Sequence, residues 1–222
     1  ATASLYGSAL GFGYNLGIHY DLTKKLAIGL TYRSKIEMSV DNGTAEFNVP
    51  ESLDPNFPDS TFSGALPLPQ VFTLGVAYKV NDQLSFVLDI NRVGWKTYDT
   101  LALDYALNTS SLEDTKSPRM YESTFAFRGG GMYDFTNGIS LRLGGGFGFS
   151  PVQNGYITPE TPDNDRWYGT AGFGYMFGTH FSIDATFYYT QMTRVGYNIE
   201  TGLNGQFDTK AIAGGLGLIY KW

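Results

Sequence analysis

The chain has no cysteine and only two histidines, and just 16% of its 222 residues are charged. An ordinary soluble domain carries charge on roughly one residue in four. Without cysteine there is no disulfide scaffold, no thiolate metal site and no thiol nucleophile. Such a chain suits passage through an oxidising compartment without needing bridges, although cytosolic proteins can lack cysteine too. No run approaches the roughly 18 consecutive apolar residues of a membrane helix, which removes helical membrane proteins. A membrane barrel stays open, because its strands alternate and average to a neutral hydropathy. Basic residues are outnumbered, 15 Lys and Arg against 21 Asp and Glu, for a net charge of −6. No basic run is present, so no nucleic-acid partner is expected. The sequence begins with Ala1 and shows no signal peptide, which predicts a mature form or a fragment.

What the chain has in quantity is 16 Tyr, 16 Phe, 3 Trp and 28 Gly, and these follow a period of two. In Gly11–Tyr20, Phe12, Tyr14, Leu16, Ile18 and Tyr20 share one face, and Gly13, Asn15, Gly17 and His19 share the other. A large apolar face opposite a small or polar one is what a barrel wall in lipid requires. The pattern recurs in Leu26–Arg33, Phe72–Lys79, Leu84–Asn91, Phe125–Phe135, Ile139–Phe149, Trp167–Phe177 and Phe181–Thr190. It recurs last in Ile212–Trp222, where Trp222 ends the apolar face. This predicts nine strands and no helix of any length.

Connections alternate between short and long. Asp21–Lys25, Asn81–Gln83, Asp134–Gly138 and Gly178–His180 are tight and rich in turn residues. Asp41–Pro69, Lys96–Glu122, Ser150–Arg166 and Thr193–Gln206 read as long polar loops. Aromatics gather at both ends of the strands, as interfacial girdles do. A soluble barrel would place charged residues opposite its apolar face; here that face is mostly Gly, Ala, Ser and Thr. The fold class is therefore all-β, an antiparallel transmembrane β-barrel with short turns on the periplasmic side. The ending GLGLIYKW is similar to the assembly signal of outer-membrane barrels.

Gly13-Tyr14-Asn15, Gly17-Ile18 and Leu30-Thr31-Tyr32-Arg33-Ser34 lie in order near the start. Pro67 and Pro69 precede a strand, Asp89 and Trp95 form a DxxxxxW arrangement, and Ser150-Pro151-Val152 follows. Pro162-Asp163-Asn164-Asp165-Arg166 is similar to a PDxDR loop element, and Asp184 sits on the next strand. As an ordered set these resemble the FadL family, outer-membrane transporters of long-chain fatty acids and other hydrophobic compounds. The resemblance implies about fourteen strands and an N-terminal hatch. Nine strands whose first and last both run toward the short-turn end cannot close as antiparallel neighbours. Residues 1–222 are thus expected to be the C-terminal portion of a single barrel domain, with nine strands of fourteen and the hatch and first strands absent.

The resemblance further implies passive transport: capture at extracellular loops, then passage through the lumen. The alternatives are an aromatic-hydrocarbon channel of the same family and a non-transporting barrel subunit of an envelope complex. In the loop 41–69, Phe47, Val49, Leu53, Phe57, Phe62, Leu66 and Leu68 are candidates for a capture groove, or else a core that orders the loop. On the lumen face, Arg33, Lys35, Lys79, Arg128 and Arg142 are candidates to meet a carboxylate, with Glu37, Asp89 and Asp184 as competing partners. Lys116 and Arg119 are candidate carboxylate contacts by the resemblance. Expected partners are outer-membrane lipid and lipopolysaccharide, a hydrophobic ligand such as a fatty acid or detergent, and an envelope-complex partner on the subunit reading. No cofactor, metal or catalysis is expected: His19 and His180 lack an evident nucleophile arrangement.

Overall fold

The computed structural model describes residues 1–220; Trp222 of the expected last strand lies outside them. In chain order the strands are β1 (Thr2–Tyr6), β2 (Asn15–Asp21), β3 (Leu26–Arg33), β4 (Ile36–Asn48), β5 (Ser60–Leu68), β6 (Val71–Lys79) and β7 (Leu84–Val93). They continue as β8 (Thr100–Tyr105), β9 (Thr115–Pro118), β10 (Thr124–Asp134), β11 (Ile139–Gly148), β12 (Arg166–Phe177), β13 (Phe181–Tyr197) and β14 (Asn204–Tyr220). Two short 3₁₀ turns, Glu51–Asn56 and Trp95–Thr97, are the only helical elements among the described residues.

All nine expected strands join one antiparallel sheet in the order β14-β13-β12-β11-β10-β7-β6-β3-β2. The registers put like faces together. Leu16, Ile18 and Tyr20 pair with Tyr32, Leu30 and Ile28, which pair in turn with Phe72, Leu74 and Val76. Phe147 pairs with Phe127 on one side and Trp167 on the other. That face is bare: Leu143 and Ile18 are each 71% exposed and Leu216 is 85% exposed. Yet every fully buried hydrophobic residue described lies outside this sheet. A single apolar layer with no core of its own is stable only when lipid covers it. The 12 residues of β12 and the 11 of β10 match the roughly 9–11 residues that a tilted strand needs to cross a bilayer.

A second sheet, β1-β4-β5-β8-β9, corrects the sequence reading, in which residues 41–69 and 96–122 were long polar loops. β4 and β5 prolong the β3–β6 hairpin without changing its register: Arg33 faces Val71, and Ile36 faces Leu68. A bulge between Val40 and Gly43 then shifts the pairing. It moves the inward positions from Ile36, Met38 and Val40 to Gly43, Ala45 and Phe47, so no single alternation runs through the segment. Gly43 is required there, because a Cβ would stand 2.2 Å from the Phe62 ring. Likewise, Thr193–Gln206 is not a loop: β13 and β14 run 17 residues each and close through a short turn.

Candidate ligand path

Two hydrophobic clusters organise the long-loop end. In the first, Ala45, Phe62, Tyr105 and Leu112 are buried, with Val40, Phe47, Phe57 and Leu103 packed against them. Three of the seven groove candidates, Phe47, Phe57 and Phe62, are thus brought together as the core of this cap. Leu53, Leu66 and Leu68 remain 39%, 50% and 42% exposed, and Val49 is half-buried. An apolar surface therefore survives on β5 and the adjoining 3₁₀ turn, carried by a packed hairpin rather than by a loose loop.

The second cluster buries Tyr121, Val152 and Ile157 against Trp95, Tyr98 and Phe207. Tyr121 makes edge contacts with Tyr98 and Trp95, at 5.1 and 6.1 Å between ring centres. Burial raises its phenol pKa against the hydrogen bond that its hydroxyl donates to Thr161. The segment 150–165 is strapped over β13. Arg194 donates to the Val152 carbonyl and to the Asn154 and Asn164 side chains, and Asn198 donates to the Ile157 carbonyl. The PDNDR element serves this strap: Asp163 pairs with Arg166, Asn164 donates to the Thr193 carbonyl, and Asp165 accepts from the Ser150 amide.

Arg119 lies beside this cluster and is nine-tenths buried. Its Nη1 donates to Thr158 Oγ1 at 3.0 Å, its Nε has no partner, and no carboxylate among the described residues forms an ion pair with it. Glu160 is held below its ordinary pKa, first by hydrogen bonding from Thr158 and last by the charge of Arg119. The next residue, Met120, takes a left-handed φ of +49°, and both amides donate to the Asp99 carbonyl. Such a backbone costs on the order of 1–3 kcal/mol and persists only where its surroundings impose it. Lys116, by contrast, is exposed on β9.

The lumen charges separate into paired and unpaired groups. Arg142 reaches across β12 to Asp184, Nη1 to Oδ1 at 2.6 Å. Lys35 bonds Glu37, and that hydrogen bond lowers the Glu37 pKa. This pair sits where the wall passes into the second sheet, with Lys35 in the link between β3 and β4 and Glu37 the second residue of β4. Arg33, Lys79, Arg128 and Asp89 have no ion-pair partner among the described residues. Lys79 lines a recess with Asp21, Lys24 and Lys25 at the short-turn end. The histidines sit in exposed positions, His19 beside Asp21 and His180 beside Thr179, against the Tyr220 ring.

Alternation puts Asn91 on the lumen face with Asp89, but nothing in the sequence marks it as a site residue, and Tyr98 and Tyr121 go unmarked too. The two tyrosines come from a stretch where no periodicity holds.

The whole chain, residues 1–222, matches the family described as outer membrane protein transport protein (OMPP1/FadL/TodX). It is 27% identical to the long-chain fatty acid transport protein of Escherichia coli K12 over 190 residues, which cover 82% of this chain and 42% of that one. Outer membrane protein P1 of Haemophilus influenzae is 24% identical over 196 residues, covering 86% and 40%. Among solved structures, a Pseudomonas aeruginosa FadL homologue superposes with a TM-score of 0.70 at 22% identity, covering 93% of this chain and 50% of that one. The Pseudomonas putida toluene transporter TodX gives 0.57 at 20% identity, covering 98% and 52%. These two share the fold. The chain spans a little under half the length of the curated relatives it matches, 42–48% for the first three. With a lipid-facing wall, a packed cap and a match along its entire length, the chain belongs to the OMPP1/FadL/TodX family of outer-membrane transport proteins.

Proposed function

We propose that this chain forms the C-terminal wall of a larger barrel that admits hydrophobic compounds passively, and that long-chain fatty acids are its ligands. β2 and β14, at the two edges of the wall, run in the same direction, so further strands are needed for antiparallel closure. Ligand adsorbs on the exposed leucines Leu53, Leu66 and Leu68 and then moves into the lumen. No energy coupling is invoked, since transfer of an acyl chain from one apolar surface to another is downhill along its concentration gradient.

The observation that supports a fatty acid is Arg119. A buried guanidinium that no carboxylate among the described residues contacts as an ion pair, with Glu160 acting on it only by charge, carries a desolvation cost that a ligand carboxylate would offset. A channel for neutral aromatic hydrocarbons gains nothing from such a group. The competing reading, aromatic-hydrocarbon uptake, rests on the likeness to the toluene transporter's fold. Uptake of labelled oleate by cells expressing the complete protein separates the two. Arg119→Ala is expected to lower oleate uptake about tenfold, Arg119→Lys to keep much of it, and toluene to compete weakly. Unchanged oleate uptake in Arg119→Ala, with strong competition by toluene, would favour the hydrocarbon channel.

A further inference from the structure

Two of the lumen cations that form no ion pair among the described residues, both exposed, border one recess. Arg33 on β3 and Arg128 on β10 line a single recess of about 540 Å3 on the inner face of the wall. Asn15, Thr31, Thr73 and Asn91 line it between them. Arg33 Nε donates to Asn15 Oδ1 at 3.2 Å, which holds the guanidinium without neutralising it. Thr73 Oγ1 donates to Asn91 Oδ1 at 2.8 Å. Asn91 is more than nine-tenths buried, and its Nδ2 has no partner among the described residues.

The nearest acid, Asp89, lines a neighbouring recess together with Arg128. Asp89 stands opposite Arg128 in the β7–β10 register, yet the two form no ion pair. Asp89 instead leans away over Gly75 on β6, with Oδ1 2.8 Å from where a Cβ of residue 75 would be. The glycine leaves room for that posture; any side chain there would push the carboxylate back toward the recess. Two guanidiniums, an amide donor and two threonines thus line the recess, and among the described residues no carboxylate forms an ion pair with either guanidinium.

We infer that this recess is a second, lumenal station for an oxyanion, and that the anion is the carboxylate of an amphiphile in transit. The chemistry is that of guanidinium forks reading a planar carboxylate, strengthened by a wall that excludes part of the water. The inference rests on the transport reading and extends it. A carboxylate released by Arg119 finds a further cationic stop before it leaves the lumen, and neutral hydrophobes pass without one.

Calorimetry on the complete protein in detergent, with decanoate and 1-decanol as probes, tests this. The wild type is expected to bind decanoate at two sites. Arg119→Ala removes one, and R33Q/R128Q removes the other or weakens it at least about tenfold. R33K/R128K keeps the charge and retains binding within a few fold. Decanol binding is unchanged in every variant, and heat-modifiable electrophoretic mobility confirms that each one is folded. Millimolar acetate displaces decanoate from the second site if the carboxylate alone is read there. The station is overturned if R33Q/R128Q binds decanoate as the wild type does, or if decanol binding falls in parallel. It is also overturned if acetate at high excess leaves decanoate in place. One decanoate site, abolished by Arg119→Ala, would sink the station and leave the transport reading standing. Wild-type protein that binds neither probe would remove both.

Discussion

At the scale of single residues, the lumen wall is built by long side chains lying over glycines of the next strand. Arg142 and Asp184 sit two strands apart, and their ion pair passes over Gly172 and Gly174 of β12. A Cβ on residue 174 would stand 2.8 Å from Asp184 Oδ1 and 3.3 Å from Arg142 Nη2. Gly174→Val therefore breaks the pair by sterics, where Asp184→Asn breaks it by charge. The Arg142 and Asp184 side chains are 42% and 24% exposed, so screening holds the loss to about 1 kcal/mol for either change. Urea unfolding of the protein in detergent is expected to show each loss singly and no further loss in the double variant. Additive losses would mean that the glycine and the ion pair act separately. The sequence names Arg142 and Asp184 as opposite lumen charges, since alternation sets their face. It does not show that they pair while Arg128 and Asp89 stay apart, because that depends on which neighbour is a glycine.

At the scale of elements, legibility follows the solvent. Strands in lipid must alternate residue by residue, so all nine wall strands can be read from period two, although β13 runs on to Tyr197 and β14 begins at Asn204, well beyond their expected ends at Thr190 and Ile212. The cap faces water and buries its own small core, so a bulge can change the phase of β4 without penalty. Phe62, Phe47 and Phe57 then look like a scattered apolar set until the hairpin folds them together. β8 and β9, at six and four residues, are too short to show a period at all. β8 is placed by pairing with β5, and β9 by pairing with β8, rather than by their own pattern. Phe62 anchors this cap: Phe62→Ala is expected to cost it about 3 kcal/mol, the usual price of a buried Phe. Limited proteolysis should then cut within residues 36–68 while the wall keeps its heat-modifiable mobility. Protection equal to wild type would show that the cap is held from elsewhere.

At the scale of the whole molecule, one face meets lipid, the other lines a path, and one end carries a packed cap. The residues that would handle a ligand lie toward the long-loop end, with exposed Leu66 and Leu68 on β5, buried Arg119 beside the second cluster, Arg33 at the upper end of β3 and Arg128 four residues into β10. Everything depends on which face of the wall is in lipid. These 222 residues hold no cysteine, so single cysteines can be placed among them without removing a thiol from this wall. In the complete protein in outer membranes, single cysteines along β12 should divide by parity. Those at Tyr168 and Thr170 are expected to react with a water-soluble maleimide entering the lumen. Those at Ala171 and Phe173 are expected to resist it, and a fluorophore placed there should be quenched by nitroxide-bearing lipid. Equal labelling at all four positions, or lipid quenching at 168 and 170 in place of 171 and 173, would contradict the account.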